Sequence, residues 1–514
     1  MHRFKENKLK MATIKTYLEY LTPVIQNNWD KPALVDASPS NTALCHSYTY
    51  GHMYQQMRRI GSYLRLLGVD KGDHVALCGS NSSHWMLGYL SVASIRAVNV
   101  SLLHTLSADT IAQQLAFSDA KVLLAEQSVW EELKAQELPQ GLIVVSLDTW
   151  SVLQGKDAPS LSVLDGSLNP EEDATIAFPE VDENDPAQLC FTSGTSEMAK
   201  GVLASWKNIT CNVLCTSENY APTDNLVTVS VFPLGHTLAI VGEFLVPLKQ
   251  GCTIHILRDT AVPDNMLDLY LKCKPFEIVL VPMVVERLVS ERYVERFKQV
   301  IEFLEVGVVC GAKLKKELED RLMELHYPLT VPYGMTECSP IVCIDPPSGH
   351  KAYASGKACR FMQLSFGEND EILVKGDQVM LGYYKDENAT RIKIDADGWM
   401  HTGDSGYLDE EGNLFVHGRI KTDMLVLSSG ENVSPSAIES KLDAIDGVVE
   451  SVVVLRNDKI IAWVYTGAQS MDKNTLLATI NPSLPMHSQI YDIEFLSEPL
   501  KRTEKQTIAR YLYK

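Results

Sequence analysis

The chain has 514 residues, more than one simple domain needs; 45% are hydrophobic and 22% charged, an ordinary globular balance. Its formal net charge of −19 argues against nucleic acid as a partner, which is held through many cationic contacts, and opposes polyphosphate ligands at long range. There is no apolar run of about eighteen residues to span a membrane, and no apolar stretch after the basic first ten residues to make a secretory signal.

Met11 offers a second possible start. The eleven cysteines are scattered and contain no C-x-x-C. Cys211 with Cys215, and Cys338 with Cys343, lack the companion Cys/His pair of a zinc site. They read as small buried residues of a reducing cytoplasm.

From about residue 11 to 180 the pattern alternates between helix and strand. Residues 54–67 carry apolar positions at helical spacing, and 74–78 make a buried strand. A helix over 85–97, a strand from 97, a helix over 108–118 and a strand over 120–125 continue the alternation, which predicts a doubly wound parallel sheet. Residues 150–187 are polar and acidic, with prolines at 159, 170, 179 and 186, and read as a connecting stretch.

Residues 190–202, C-F-T-S-G-T-S-E-M-A-K-G-V, lie between two short apolar runs. Thr192, Ser193, Thr195 and Ser196 offer hydroxyl donors, Gly194 and Gly201 allow close backbone approach, and Lys200 adds a charge. The pattern suits a polyphosphate cradle, although similar clusters are often plain loops. It is not a Walker loop, because the lysine precedes the second glycine and the helical pattern begins only near Ser205. Backbone and hydroxyls, rather than a helix dipole, must supply the anion affinity.

Further on, 228–236 reads as a strand ending in Pro-Leu-Gly-His236, and 251–256 and 277–282 as buried strands. The apolar strand 305–310 ends on Gly311-Ala312, small enough for a flat ring to rest on the backbone. Tyr333-Gly-Met-Thr-Glu337 follows a short strand and combines a stacking ring, a hydroxyl donor and a hard oxygen ligand. Residues 371–384 alternate like strands of a small antiparallel barrel. They lead to His401-Thr-Gly-Asp404, whose carboxylate suits a pair of ribose hydroxyls, and to Gly418-Arg419.

The order T-S-G-T-x-x-x-x-K-G at 192–201, with Y-G-M-T-E at 333–337, resembles the adenylate-forming enzymes: acyl-CoA synthetases, luciferases and peptide-synthetase adenylation domains. The likeness covers most of the chain, and S-S-G-E-N-V at 428–433 points to the acyl-CoA synthetases among them. It implies an α/β fold with a large N-terminal domain over 11–418, made of doubly wound sheets plus a small β-barrel. A hinge over 419–423, at Lys421, Thr422 or Asp423, and a small mobile α/β domain over 424–514 would follow.

The implied reaction joins a carboxylic acid to AMP from ATP with Mg²⁺, then passes the acyl group to CoA or to the phosphopantetheine of an acyl carrier protein. It implies an enzyme of fatty acid metabolism in the cytoplasm. Thr192, Ser193, Gly194, Thr195 and Lys200 would hold the phosphates, and Gly311, Ala312, Tyr333 and Gly334 the adenine. Thr336 would donate to the α-phosphate, Glu337 hold the metal, and Asp404 and Arg419 take the ribose. His236 would lie by the carboxylate, and Ser429 and Gly430 by the thiol tunnel.

Four departures stand out. Glu197 replaces a phosphate-loop glycine, Cys310 replaces the first glycine before the adenine, and one residue is added before Ser428. Near the end, Gln506-Thr507 stands where the family has Gly-Lys. Lys505 lies two residues earlier, on the same face of an extended strand, and is the expected substitute. Three readings follow: an acid–CoA ligase, a stand-alone enzyme that loads a carrier, and a nucleotide-binding relative with impaired chemistry.

Overall fold

The computed structural model describes residues 15–37, 46–156, 158, 160–161, 178–192, 199–219, 226–258, 262–345, 349–419, 425–428, 431–433, 435–467, 471–501 and 512–513. Two large sheets carry most of the first 380 residues. One has eight strands in the order Gly382–Tyr383, Gly201–Ser205, Pro186–Phe191, Val98–Leu102, His74–Cys78, Val122–Ala125, Ile143–Ser146, Val152–Gln154. Its centre, from Pro186–Phe191 to Ile143–Ser146, is parallel, and the strands beyond are antiparallel. The other has seven, ordered Leu329–Thr330, Val306–Val309, Glu277–Leu280, Val227–Ser230, Thr253–Leu257, Pro32–Ala37, Ser47–Thr49, parallel except at the last pair.

The helices start where side chains cap their free N–H groups. Thr49 accepts from the His52 amide and starts the helix Tyr50–Leu66 four residues earlier than its apolar spacing indicates. Ser82 caps Ser83–Ser94 and Ser107 caps Ala108–Ser118 in the same way. Packing between the first sheet and its helices buries Trp85, Tyr89 and Trp206 in the largest core. Arg96 is buried there too; it pairs with Glu19 and lies 4.8 Å from the Trp206 ring centroid.

The antiparallel part is a four-stranded sheet, Met362–Phe366, Glu371–Gly376, Met400–Leu408, Leu414–Arg419, with the three-stranded sheet of Tyr333–Gly334, Ile341–Ile344 and Lys357–Ala358 preceding it in the chain. The segment 371–384 divides between two bodies. Glu371–Gly376 stays in the four-stranded sheet, and Gly382–Tyr383 crosses to the edge of the eight-stranded one.

In the last ninety residues, Glu450–Arg456, Lys459–Tyr465 and Asp492–Leu496 form a sheet packed on the helices Pro435–Asp443 and Lys473–Ile480. Among the described residues no helix is long and apolar enough to cross a membrane.

Candidate active site

The strands Pro186–Phe191 and Gly201–Ser205 pair antiparallel, with Phe191 opposite Gly201. The Thr192 amide donates to the Lys200 carbonyl at 3.0 Å and closes the base of this hairpin. Ser193, Gly194, Thr195, Ser196 and Glu197 lie outside the described residues. Gly201 packs tightly: a Cβ there would stand 2.9 Å from Leu189 Cδ1.

Tyr383 pairs with Val202, which sets its ring beside the hairpin base. Lys200 Nζ lies 4.7 Å from that ring's centroid, a cation–π contact. The Tyr383 hydroxyl donates to Glu337 Oε1 at 2.8 Å, and the Met380 amide donates to the Glu337 carbonyl at 2.9 Å. Three distant segments therefore meet at one place. Tyr383 had no assigned role in the sequence; its strand alternation gave no sign that it leaves its own sheet.

Glu337 sits in the single 3₁₀ turn Thr336–Cys338. Tyr383 occupies one carboxylate oxygen and orients the other. A single hard carboxylate suits Mg²⁺, which takes one or two protein ligands and completes its shell with phosphate oxygens and water. Among the described residues no cluster of three or more acidic, histidine or cysteine side chains makes an all-protein cage.

The Tyr333 hydroxyl donates to Asp404 Oδ2 at 2.8 Å. Burial, with the Asp404 carboxylate beside it, pushes the phenol well above its usual range. Asp404 stands opposite Arg419 in the ladder of Met400–Leu408 and Leu414–Arg419. Gly334 admits no side chain, because its Cβ would fall 2.0 Å from the Pro340 carbonyl oxygen. Gly311 follows the strand Val306–Val309 at φ +86°, a left-handed conformation glycine tolerates. The neighbouring strand Leu329–Thr330 leads into Tyr333, and Lys313 Nζ donates to the His417 carbonyl at 2.8 Å. The Gly311-Ala312 bend is thereby tied to the strand that ends at Arg419.

His236 ends a turn held from two sides. Buried Asn81 donates from Nδ2 to the Phe232 carbonyl at 2.7 Å and accepts the Leu234 amide at 3.0 Å. Glu243 Oε2 accepts from the Val231 and Phe232 amides and the Ser230 hydroxyl. Glu243 belongs to the π-helical turn Ala239–Leu245, and burial raises its carboxyl to about 8. A Cβ on Gly235 would meet Leu103 at 2.8 Å and the Leu102 carbonyl at 2.9 Å, so the turn abuts the C-terminal end of a strand in the other sheet. His236 keeps an exposed edge while protein crowds around it, as on a cleft wall. That enclosure lowers its imidazole pKa.

Neither Asn81 nor Glu243 was assigned from the sequence: Asn81 acts on backbone about 150 residues away, and Glu243 reaches its partners only through a π-helical turn. The Ser428 carbonyl accepts from the Met283 amide at 3.2 Å. Ser429, Gly430 and Lys505 lie outside the described residues, as do hinge candidates Lys421, Thr422 and Asp423.

The AMP-binding enzyme family matches residues 23–384. A curated relative, 4-coumarate–CoA ligase 3 of Arabidopsis thaliana, is 28% identical over 455 residues, covering 84% of this chain and 78% of its own. 4-Coumarate–CoA ligase 2 of Oryza sativa subsp. japonica is 25% identical, covering 94% and 89%. Among solved structures, the amide bond synthetase McbA of Marinactinospora thermotolerans superposes with TM-score 0.81 at 22% identity, covering 97% and 99%. o-Succinylbenzoate CoA synthetase of Bacillus subtilis gives 0.78 at 20%, covering 97% of each chain. These structures share the fold of a large N-terminal and a small C-terminal domain. The protein belongs to the AMP-binding enzyme family.

Proposed function

We propose that the protein is an ATP-dependent acid–thiol ligase forming an acyl-CoA. A carboxylate oxygen attacks the α-phosphorus of ATP, the bond to pyrophosphate breaks, and an acyl-adenylate forms. The CoA sulfur then attacks the acyl carbon, AMP leaves, and the thiol proton passes to solvent. The observation that carries this reading is the meeting of Lys200, Tyr383 and Glu337, beside a second group in which Tyr333 bonds Asp404 opposite Arg419.

In this reading Thr192, Ser193, Gly194, Thr195 and Lys200 neutralise the phosphates, and Thr336 donates to the α-phosphate. Tyr333 stacks on adenine over Gly311, Ala312 and Gly334, while Asp404 and Arg419 take the ribose. His236 borders the acid. Bound Mg²⁺, which Glu337 would hold, neutralises phosphate charge as the two anions approach. Residues 11–418 form the adenylating domain, 419–423 the hinge, and 424–514 the mobile domain, whose Ser429 and Gly430 border the thiol path. Lys505 supplies the last positive charge.

The two curated relatives are 4-coumarate–CoA ligases, so the acid panel spans aromatic propenoic acids as well as linear acids from acetate to palmitate. The test is acid-dependent exchange of labelled pyrophosphate into ATP, followed by thioester formation with CoA. No exchange with any acid overturns the reading; exchange without CoA transfer but with loading of a phosphopantetheinylated carrier replaces its second half. Thr507 at the family's lysine position favours impaired chemistry instead. Lys505→Ala abolishes exchange if Lys505 is the substitute, and unchanged exchange removes that role. Buried thiols such as Cys78 and Cys310 fit a reducing cytoplasm.

A further inference from the structure

The helix Glu387–Lys393 belongs to neither large sheet, and none of its described residues is fully buried. Two of its side chains nevertheless hold backbone at opposite ends of the candidate cleft. Thr390 Oγ1 accepts the Tyr383 amide at 2.8 Å. Gly382, just before, has φ +149°, and a Cβ there would stand 2.8 Å from Thr390 Cγ2. The helix thus grips the phosphate end, where Tyr383 bonds Glu337.

One turn later, Lys393 Nζ donates to the Thr402 carbonyl at 3.2 Å. Thr402 is fully buried, and its hydroxyl donates to the Ile372 carbonyl at 2.7 Å and accepts the Asp404 amide at 3.1 Å. Asp404 in turn accepts from Tyr333. Lys393 therefore bears on the strand segment from which the nucleoside group projects. Lys393 is half-buried, so its bond to a carbonyl is less screened than that of a fully exposed lysine.

We infer that Lys393 is a positioning residue for the nucleotide: it holds the Thr402–Asp404 segment in register with Tyr333 and couples that segment to the Thr390–Tyr383–Glu337 end of the cleft. The inference rests on the proposed ATP chemistry. Its first readout is nucleotide binding, which needs no acid and no turnover.

The experiment compares the whole protein with Lys393→Met, which keeps the stem and removes the charge, and Lys393→Arg, which restores a cationic donor. Binding of Mg·ATP is followed by calorimetry, and melting temperature by a thermal scan. Lys393→Met is expected to weaken ATP binding about ten-fold, the scale of one charged hydrogen bond, with Lys393→Arg recovering most of it. In pyrophosphate exchange the KM for ATP rises while the KM for the acid stays unchanged.

Undiminished ATP binding in Lys393→Met overturns the inference. So does an equal loss in Lys393→Met and Lys393→Arg that follows melting temperature, the mark of a merely structural role. If Lys393→Met does not fold, Lys393→Gln takes its place under the same criteria. A wild-type protein that binds ATP but exchanges no pyrophosphate removes the ligase reading and leaves the binding comparison decisive. A wild-type protein that binds no ATP removes both.

Discussion

The Tyr333 phenol donates to Asp404 Oδ2 at 2.8 Å across 71 residues of sequence. One residue follows a parallel strand of the seven-stranded sheet, and the other lies on the antiparallel sheet beyond it. The bond fixes the carboxylate in advance, and in the proposed nucleotide site that would lower the ordering cost of holding a ribose.

Removing that bond tests its worth. Tyr333→Phe keeps the ring and loses the donor, and is expected to raise the KM for ATP about ten-fold, the scale of a hydrogen bond to a charged group. Asp404→Ala removes the carboxylate itself and is expected to cost more. Steady-state exchange kinetics at varied ATP check the order; an unchanged KM in both variants removes the ribose role.

The second bond concerns the metal. Tyr383→Phe frees Glu337 Oε1 from its donor at 2.8 Å and leaves the carboxylate free to swing. The Mg²⁺ concentration for half-maximal exchange is expected to shift several-fold, as for outer groups that orient a ligand. A titration of exchange against Mg²⁺ measures it, and a superimposable curve argues against Glu337 as the ligand.

Asn81 tests the proposed acid side. Asn81→Leu leaves the half-buried Phe232 carbonyl and the buried Leu234 amide without their partner, which costs about 2–4 kcal/mol of stability. Melting temperature should fall, and the KM for the acid should rise more than that for ATP, because the turn carries His236.

A buried His350 predicts a pH effect on stability. It contacts Asp345 and Glu319 at 3.2 Å each, with all three side chains at most 7% exposed. Hydrogen bonds to the two carboxylates outweigh the burial cost and raise it to about 9 from 6.5. The folded state therefore binds the proton more tightly than the unfolded chain does. The stabilisation is complete below about pH 6.5 and is lost as pH rises through 9. The melting-temperature gap between wild type and His350→Gln should narrow over that window; a constant gap would contradict the charged imidazole.

Much of the architecture could be read locally. The alternation from 74 to 125 appears as parallel strands and helices of one sheet, because burial on both faces leaves continuous apolar runs that periodicity detects. Boundaries were less legible where a polar cap decides them, as Thr49 does. The π-helical turn Ala239–Leu245 left no periodic trace, since its register depends on how Glu243 reaches back to the strand end.

The sequence by itself determined the chemistry on offer: which hydroxyls, glycines, carboxylates and cations occur in a phosphate-loop order, that Glu197 departs from it, and that Thr507 stands at the position of a family lysine near the end of the chain. Only the tertiary structure decided which of them meet. The partnerships of Tyr383 with Glu337 and of Asn81 with the turn before His236 each join segments whose separation is set by strand order. Hydrogen bonds act over about 3 Å, and nothing in local spacing encodes a distance that sheet packing creates.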